Sequence, residues 1–296
     1  MNRPLGASLG VLADLALGEP PVRPHPVAQF GRVMVAVERA LHRDARSAGV
    51  IHAAIGAALG CGAGVALRST AVATYLVTAG RGLGDAAREV ESALRVGDLG
   101  AARAALPALA GRDPRGLGEK EIARAVVESV AENTVDAVVA PAWWAALGGA
   151  PAATAYRAVN TLDAMVGHRS SRYLDYGWAS ARMDDIAAFV PARLTAVLVA
   201  AVRPRAATSV WATVRRDAAG HPSPNAGVAE AAFAAALGVR LGGENRYGDR
   251  VEVRPLLGDG RPPEPADIDG AVRLSRDVVL ATAGVLAAVG TLRWRR

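Results

Sequence analysis

Cysteine, lysine and aromatic residues are all scarce in this chain of 296 residues. One cysteine, Cys61, excludes a disulfide scaffold and a cysteine-rich zinc site. Aromatic residues make up only 4% of the sequence, and no basic run is interleaved with them, so we do not expect nucleic acid as a partner. Lys120 is the only lysine, and the net charge of +6 therefore comes almost entirely from arginine.

Several motifs of nucleotide-binding and hydrolytic proteins are also missing. The sequence has no glycine-rich loop followed by Lys and Ser/Thr, no dinucleotide-binding fingerprint and no H-E-x-x-H. A nucleotide, if one binds, would therefore be held by arginines, carboxylates and a metal ion rather than by a phosphate-binding loop.

Long runs without charged residues are present instead. Between Arg46 and Arg68 lie 21 such residues, and between Asp136 and Arg157 lie 20. A membrane-spanning helix needs roughly 20 apolar residues. We therefore expect an all-α fold, a polytopic helical integral membrane protein that forms a single domain over residues 1–296. A large soluble helical protein with buried core helices is the alternative.

The order of apolar and polar stretches predicts the topology. The apolar segments cover residues 47–80, 137–156, 186–202 and 278–292, and the polar regions cover residues 81–136, 157–185 and 203–276. Arg43 and Arg46 favour a cytoplasmic start for the first segment. The second segment contains helix-disrupting residues, which favour a broken or re-entrant segment that lines a polar cavity. These residues are Pro141, Gly148, Gly149 and Pro151.

Local signals predict several helices. Pro26 begins an amphipathic helix over residues 26–44, with Val33 on its apolar face. Residues 82–110 predict a helical hairpin that turns at Gly97-Asp98. A further helix is expected over residues 119–140, where Pro141 stops or kinks it. Alternation typical of a strand occurs only around residues 250–255.

The stretch ESVAENTVD predicts a stripe of acidic side chains. At 100° per residue, Glu128, Glu132 and Asp136 fall within about 80° of one another on a helix, with Asn133 nearby. Hard oxygen ligands of this kind suit Mg²⁺, with phosphates completing the coordination shell. The alternative is an ordinary solvated face of an amphipathic helix.

The stretch from Asn160 to Asp185 carries the densest set of polar candidates. Asn160 and Asp163 lie one turn apart on a helix that Gly167 is expected to end. The arginines and adjacent acids that follow lie beside an apolar segment, where they are costly unless paired or functional. They are Arg169, Arg172, Arg182, Asp184 and Asp185, with Arg193 inside the next apolar run.

Two shorter motifs complete the candidates. The stretch GHPSPNAG holds His221, Ser223 and Asn225 in a proline-rich loop, where they either bind a phosphate or cap a helix. His25 precedes the helix that starts at Pro26, where the helix dipole favours anions.

These stretches together resemble the adenosylcobinamide-phosphate synthase (CobD/CbiB) family of membrane proteins in cobalamin biosynthesis. The resemblance covers essentially the whole chain in the expected order, with departures at His168 and Ala219. The matching stretches are residues 12–32, 111–113, 127–141, 156–196, 220–227 and 236–248.

The resemblance implies an acid–amine ligase. Members of the family join a carboxylate of adenosylcobyric acid to the amine of aminopropanol phosphate or ethanolamine phosphate, with ATP as the energy source. A carboxylate is a poor electrophile, and we expect an acyl phosphate to supply the leaving group. Such chemistry needs Mg²⁺ to shield the charge of ATP, donors for its phosphates and a base for the amine.

We assign roles to the candidate residues on this basis. The catalytic candidates are Glu128, Glu132, Asp136, Asp163 and His221, with Asp163 or His221 as the base. The ligands expected for Mg²⁺ are Glu132, Asp136, Asp184 and Asp185. Arginines that could bind phosphates are Arg112, Arg169, Arg182 and Arg193. The corrinoid amides are assigned to Asn133, Asn160, Asn225 and Asn245, and further substrate contacts to His25 and Ser223.

Location and partners follow from the same resemblance. We expect the cytoplasmic membrane, several membrane passes and a site that faces the cytoplasm, with other membrane proteins of the corrinoid pathway as further partners. Two other functions fit some of the features. A membrane transporter or non-catalytic component would also use broken helices and intramembrane acids. A Mg²⁺-dependent phosphotransferase acting on a lipid alcohol would need a denser aspartate motif than Asp184-Asp185.

Overall fold

The computed structural model describes residues 2–20, 22, 24–111, 113–168, 170–247 and 250–294. In chain order, the helices are α1 (Arg3–Leu17), α2 (Pro26–Leu41), α3 (Arg46–Leu67), α4 (Thr70–Val77), α5 (Gly80–Arg95), α6 (Leu99–Ala105), α7 (Glu119–Thr134), α8 (Ala140–Val166), α9 (Trp178–Ala187), α10 (Phe189–Val202), α11 (Ala207–Asp217), α12 (Ala226–Leu237) and α13 (Pro265–Trp294). Strands β1 (Leu241–Tyr247) and β2 (Arg250–Leu257) lie between α12 and α13. The all-α prediction is confirmed, with one antiparallel hairpin added.

The chain divides into two compact units. The first unit comprises Met1–Ala79, Asp136–Phe189 and Thr282–Arg296, and the second comprises Gly80–Val135 and Val190–Ala281. Each unit is therefore assembled from segments that are distant in sequence.

Close packing of α3 against α8 organises the first unit. One face of α3 carries Gly56, Gly60 and Gly64, which spaces small residues at intervals of four along the helix. A Cβ atom on Gly60 would lie 2.6 Å from Cβ of Ala158 and 2.8 Å from the backbone oxygen of Thr154. The two backbones can approach this closely only because the side chains are absent.

Helix α8 is broken near its middle, as the Pro/Gly pattern predicts. Gly149 has φ of 71°, in the left-handed region that glycine adopts without strain. Pro151 follows, and its missing N–H fits this interruption. The last part of α8 ends at Val166, with Gly167 at the C-cap as expected.

The predicted helix over residues 119–140 is confirmed as far as Thr134 and wrong in its last turn. Helix α7 ends at Thr134, and residues Val135–Val139 form a π-helical turn before α8 begins. Pro141 neither stops nor kinks a helix, because it lies in the first turn of α8, where its missing N–H has no helical partner to lose.

Helix α2 begins at Pro26 as predicted, but its buried face differs from the predicted one. Met34 and Glu38 are buried, whereas Val33 is 50% exposed. A buried Glu38 is possible because Arg172 and the hydroxyl of Tyr173 both donate to its Oε1, at 2.9 Å in each case.

In the second unit, α7 is the central buried helix. Ile122, Val126 and Val130 are fully buried, and α5, α6, α12 and β1 pack against α7. Helices α5 and α6 form the hairpin that turns at Gly97-Asp98, where the Asp98 carboxylate caps α6. Strands β1 and β2 pair with Glu244 opposite Val253.

The apolar segments give limited support for membrane crossing. Within the described residues, α3 is long and apolar enough to cross a bilayer, and α9 with α10 passes the same test only as one bent pair. A buried core helix of a soluble protein passes this test too, although most of α3 is not buried within the chain. The polytopic arrangement therefore stays a prediction.

Candidate functional site

An acid pair joined by Asn160 lies in the first unit. Nδ2 of Asn160 donates to Oδ2 of Asp136 and to Oδ1 of Asp184, at 3.2 Å in each case. Asp136 comes from the π-helical turn, Asn160 from α8 and Asp184 from α9, and all three are half-buried. The shared amide donor offsets part of the repulsion between two neighbouring carboxylates.

Arg157 fixes the direction of the Asn160 amide. Nη1 of Arg157 donates to Oδ1 of Asn160 at 3.3 Å, so that Nδ2 faces the two carboxylates. Tyr156, its neighbour on α8, is only 3% exposed and interacts electrostatically with Asp136 and Asp184.

Three further candidates belong to the same unit. Asp163 lies one turn after Asn160 on α8, and its carboxylate lies over the Cα atom of Gly167. On α9, Nη1 of Arg182 donates to Oδ2 of Asp185 at 3.1 Å. Arg182 is thus paired with an acid three residues away on its own helix.

A polar cavity of about 100 Å³ lies in the second unit. The carboxylates of Glu128, Glu132 and Glu230, together with Ser129 and Arg254, contribute to its lining. Glu128 and Glu230 are buried, whereas Glu132 is exposed. A cavity of this size accommodates several water molecules or a small charged group.

Contacts fix several of the α7 candidates. Oε1 of Glu128 accepts a hydrogen bond from the backbone N–H of Gly242 at 2.8 Å, which ties β1 to α7. Nδ2 of Asn133 donates to the backbone oxygen of Ser129 at 2.9 Å and contacts the Ser129 hydroxyl at 3.1 Å. The amide nitrogen of Asn133 is therefore occupied by its own helix.

His221 lies in a buried charged cluster beside the cavity. Its Nε2 is 3.7 Å from Oε1 of Glu230 and 3.4 Å from Nη1 of Arg254. Nε of Arg254 in turn donates to Oε1 of Glu252 at 3.2 Å. Burial and the positive charge of Arg254 hold the pKa of His221 below its ordinary value, so the imidazole is neutral at neutral pH.

The motif GHPSPNAG forms a helix start. The hydroxyl of Ser223 accepts from the backbone N–H groups of Asn225 and Ala226, at 3.3 and 3.2 Å, just before α12, whereas the N-cap residue Asn225 makes no side-chain capping bond. Oδ1 of Asn225 accepts from Nη1 of Arg193 at 3.0 Å. His25 caps α2 in the same manner, since its Nδ1 accepts from the backbone N–H of Val27 at 3.3 Å.

Three predicted substrate-binding side chains are outside the part of the chain that the structure describes. Arg112 and Arg169 are not among the described residues, and the same holds for the side chain of Asn245, whose backbone lies in β1.

Comparison with known proteins places the chain in a family. A family model described as CobD/Cbib protein matches residues 7–275. The chain belongs to the CobD/Cbib family. It is 49% identical to the cobalamin biosynthesis protein CobD of Mycobacterium tuberculosis, with 99% of this chain and 97% of that protein covered.

Two further relatives of this CobD/Cbib chain are similar over most of their length. The cobalamin biosynthesis protein CobD of Geobacter metallireducens is 43% identical, with 89% of each chain covered. The cobalamin biosynthesis protein CbiB of Salmonella arizonae is 41% identical, with 88% of this chain and 89% of that protein covered. No solved structure matches the chain.

The acid pair is of a type that could hold Mg²⁺. Among the described residues of the CobD/Cbib chain, no three His, Cys, Asp or Glu side chains form a group that could hold a metal ion alone. Of the other predicted ligands, Asp185 pairs with Arg182, and Glu132 is exposed on α7. Mg²⁺ is usually bound by one or two carboxylates together with phosphates and waters. Asp136 and Asp184 would supply such a pair.

The predicted acidic stripe on one helix is wrong. The π-helical turn separates Asp136 from the regular helix that carries Glu128 and Glu132. Glu128 is also 2% exposed, so the stripe is not a solvated face.

Some residues that contribute to these sites were not predicted, among them Glu230, Arg157, Tyr156 and Arg254. Glu230 had a readable signal, because it is the only charged residue in the apolar helix α12. Arg157 had a weaker signal as the first charge after the second apolar run. For Tyr156 and Arg254 the sequence gives no signal, because their neighbours are distant in sequence and meet only through the fold.

Proposed function

We propose that this chain acts in cobalamin biosynthesis as an adenosylcobinamide-phosphate synthase. Such an enzyme joins a carboxylate of adenosylcobyric acid to the amine of (R)-1-amino-2-propanol O-phosphate or ethanolamine phosphate, with ATP consumed. The observation that carries the proposal is the similarity of nearly the whole chain to proteins named cobalamin biosynthesis protein CobD.

The proposed chemistry has two steps. A carboxylate oxygen of the corrinoid acid attacks the γ-phosphorus of ATP, and ADP leaves. The amine then attacks the carbonyl carbon, the C–O bond to the phosphate breaks and inorganic phosphate departs with that oxygen. The protonated amine must lose two protons, one before attack to free its lone pair and one after attack, so a base is needed.

Each unit, taken by itself, carries side chains of types that these steps need. Neutral His221, beside Glu230, is suited to accept a proton near neutral pH. Asp136 and Asp184 would hold Mg²⁺, which supplies charge shielding for the phosphates. Glu132 is exposed at the cavity in the second unit, where a cationic amine would be attracted to the carboxylates.

We further propose that the chain is a multi-pass protein of the cytoplasmic membrane with its site facing the cytoplasm. The apolar helix α3 and the bent pair α9–α10 support this location. Large apolar side chains such as Leu59, Val65 and Ile186 are also 45–76% exposed. Other membrane proteins of the corrinoid pathway are the proposed partners.

A product assay tests the function. Membranes that contain the expressed chain receive adenosylcobyric acid, ATP, Mg²⁺ and each candidate amine in turn, and mass spectrometry follows the amide. We expect ATP-dependent formation of adenosylcobinamide phosphate or its ethanolamine relative, and the more active amine identifies the substrate. Corrinoid uptake into vesicles without any amide product would contradict the synthase and favour a transporter.

A further inference from the structure

Three buried polar atoms near the acid pair have no hydrogen-bond partner among the described residues. They are the hydroxyl of Tyr156, Nε of Arg157 and the hydroxyl of Ser180. Tyr156 is 3% exposed and Ser180 is 1% exposed. Buried polar groups are normally hydrogen-bonded, and one that is not lowers stability.

All three atoms belong to side chains that lie within about one helical turn of Asn160 on α8 or of Asp184 on α9. Tyr156 precedes Asn160 by four residues on α8, and Ser180 precedes Asp184 by four residues on α9, so each pair shares a helix face. Helices α8 and α9 pack against each other. Burial has the largest influence on the Tyr156 hydroxyl, and the charges of Asp136 and Asp184 act on it as well.

The types of these atoms restrict what can bind. Nε of Arg157 is a donor only, and Tyr and Ser hydroxyls also donate, so the complementary group must present several acceptor oxygens. A bare cation offers none. A phosphate alone would be repelled by Asp136 and Asp184, whereas a phosphate that arrives with a divalent cation suits both the carboxylates and the donors.

We infer that Tyr156, Arg157 and Ser180, around the Asp136–Asn160–Asp184 bridge, form a binding site for a phosphate group accompanied by a divalent cation. Asp136, Asn160 and Asp184 are half-buried, and in the proposed complex the three donors bind phosphate oxygens. Arg157 also holds Asn160 in the orientation that keeps the carboxylates adjacent.

Under the proposed function, the phosphate has two possible sources. Only the identity of the phosphate-bearing ligand rests on the proposed function. One is the polyphosphate of ATP, and the other is the phosphate of the amino-alcohol substrate. Both present the same chemistry to the site, so binding experiments must compare them separately.

Binding to the purified full-length chain in detergent tests the site without relying on activity. Isothermal titration measures the affinity of β,γ-methylene-ATP with Mg²⁺ and, separately, of 1-amino-2-propanol O-phosphate with Mg²⁺. The variants are Tyr156→Phe and Ser180→Ala. Tyr176→Phe is the matched control, because the Tyr176 hydroxyl is also buried without a partner among the described residues but its ring lies against His42 and His52.

We expect Tyr156→Phe and Ser180→Ala each to weaken binding of one of the two ligands about tenfold, since each loses a hydrogen bond to a charged group. The affected ligand identifies the source of the phosphate. The melting temperature of the ligand-free variants should stay unchanged or rise, because an unsatisfied hydroxyl has been removed. A purely structural role would change stability and leave affinity unaltered.

Two results would overturn the site. One is unchanged affinity for both ligands in Tyr156→Phe and Ser180→Ala. The other is an equal loss in Tyr176→Phe. Either result leaves the synthase proposal standing if the wild-type chain forms the amide. Conversely, a wild-type chain that binds phosphate through these residues but forms no amide would contradict the synthase alone.

Discussion

Among the single residues, Glu128 is a predicted catalytic carboxylate that makes a structural hydrogen bond. Its Oε1 accepts the backbone N–H of Gly242, which is 114 residues away. Removal of the acceptor would leave a buried N–H group unsatisfied, which costs about 1–3 kcal/mol.

We therefore expect Glu128→Ala to lower the free energy of unfolding by about 1–3 kcal/mol. Glu128→Gln keeps an acceptor oxygen and should lose much less. Denaturant unfolding of both variants in detergent measures the difference. Equal losses in Ala and Gln would show that the contact with Gly242 does not account for the role of Glu128.

Glu38 provides a pH-dependent contribution to stability. Burial alone would raise the pKa of this carboxyl, but hydrogen bonds from Arg172 and Tyr173 outweigh it and hold the pKa below its ordinary value of 4.5. A carboxyl whose folded pKa is lowered stabilises the fold above its unfolded pKa, and this contribution is lost as pH falls through the folded pKa.

The expected result is a steeper loss of stability in the wild type than in Glu38→Gln as pH is lowered from about 6 to about 3. Equilibrium unfolding at several pH values measures both slopes. Parallel curves for the two proteins would rule out Glu38 as the titrating group.

At the level of helices and strands, local signals predicted the ends of elements better than their interiors. Pro26, Gly97-Asp98 and Gly167 each act within one turn of the chain, and each lies at the predicted boundary. The π-helical turn at Val135–Val139 has no such signal, because no glycine or proline interrupts these residues.

For the acid pair and its bridging amide, the sequence predicted the residues but not their contacts. Asp136, Asn160 and Asp184 were all selected from sequence, but their contacts through Nδ2 of Asn160 depend on a fold that brings three elements together. Helical spacing can group residues on one element only, and it placed Asp136 with the wrong neighbours.

Two glycines on α3 test the helix packing directly. Gly60 faces α8 at close range, whereas a Cβ atom on Gly62 would meet nothing within 4 Å. Gly62→Ala should raise the free energy of unfolding by about 0.5–1 kcal/mol, since alanine is the better helix former. Gly60→Ala should lower it, because the added methyl group forces α3 and α8 apart.

Thermal or denaturant unfolding of the two variants, each against the wild type, gives the comparison. Both substitutions replace glycine by alanine inside α3, so they change the helix propensity equally. Opposite signs of the change in the free energy of unfolding therefore isolate the contribution of packing. Stabilisation by Gly60→Ala would contradict the close contact between α3 and α8.

For the molecule as a whole, the native Cys61 reports on membrane crossing. Cys61 is exposed on α3, and it is the only cysteine in the sequence. If α3 spans the bilayer, lipid covers this thiol. We therefore expect a membrane-impermeant maleimide to leave Cys61 unlabelled in native membranes and to label it after detergent treatment.

The matched control is the variant Cys61→Ser with Ser47→Cys, which moves the thiol to an exposed position at the start of the same helix. In inside-out vesicles this variant should react at once, because the predicted start of α3 is cytoplasmic. Equal labelling at both positions in intact vesicles would favour a soluble helical protein.

In the proposed reaction, ATP activates the corrinoid carboxylate as an acyl phosphate before the amine attacks. Adenosylcobyric acid labelled with ¹⁸O in both oxygens of the reacting carboxylate tests this step when the released phosphate is analysed by mass spectrometry. We expect one ¹⁸O atom in inorganic phosphate for each amide formed, because the bond between the carbonyl carbon and the bridging oxygen breaks. Amide formation with the label in AMP, or with no label in phosphate, would contradict it.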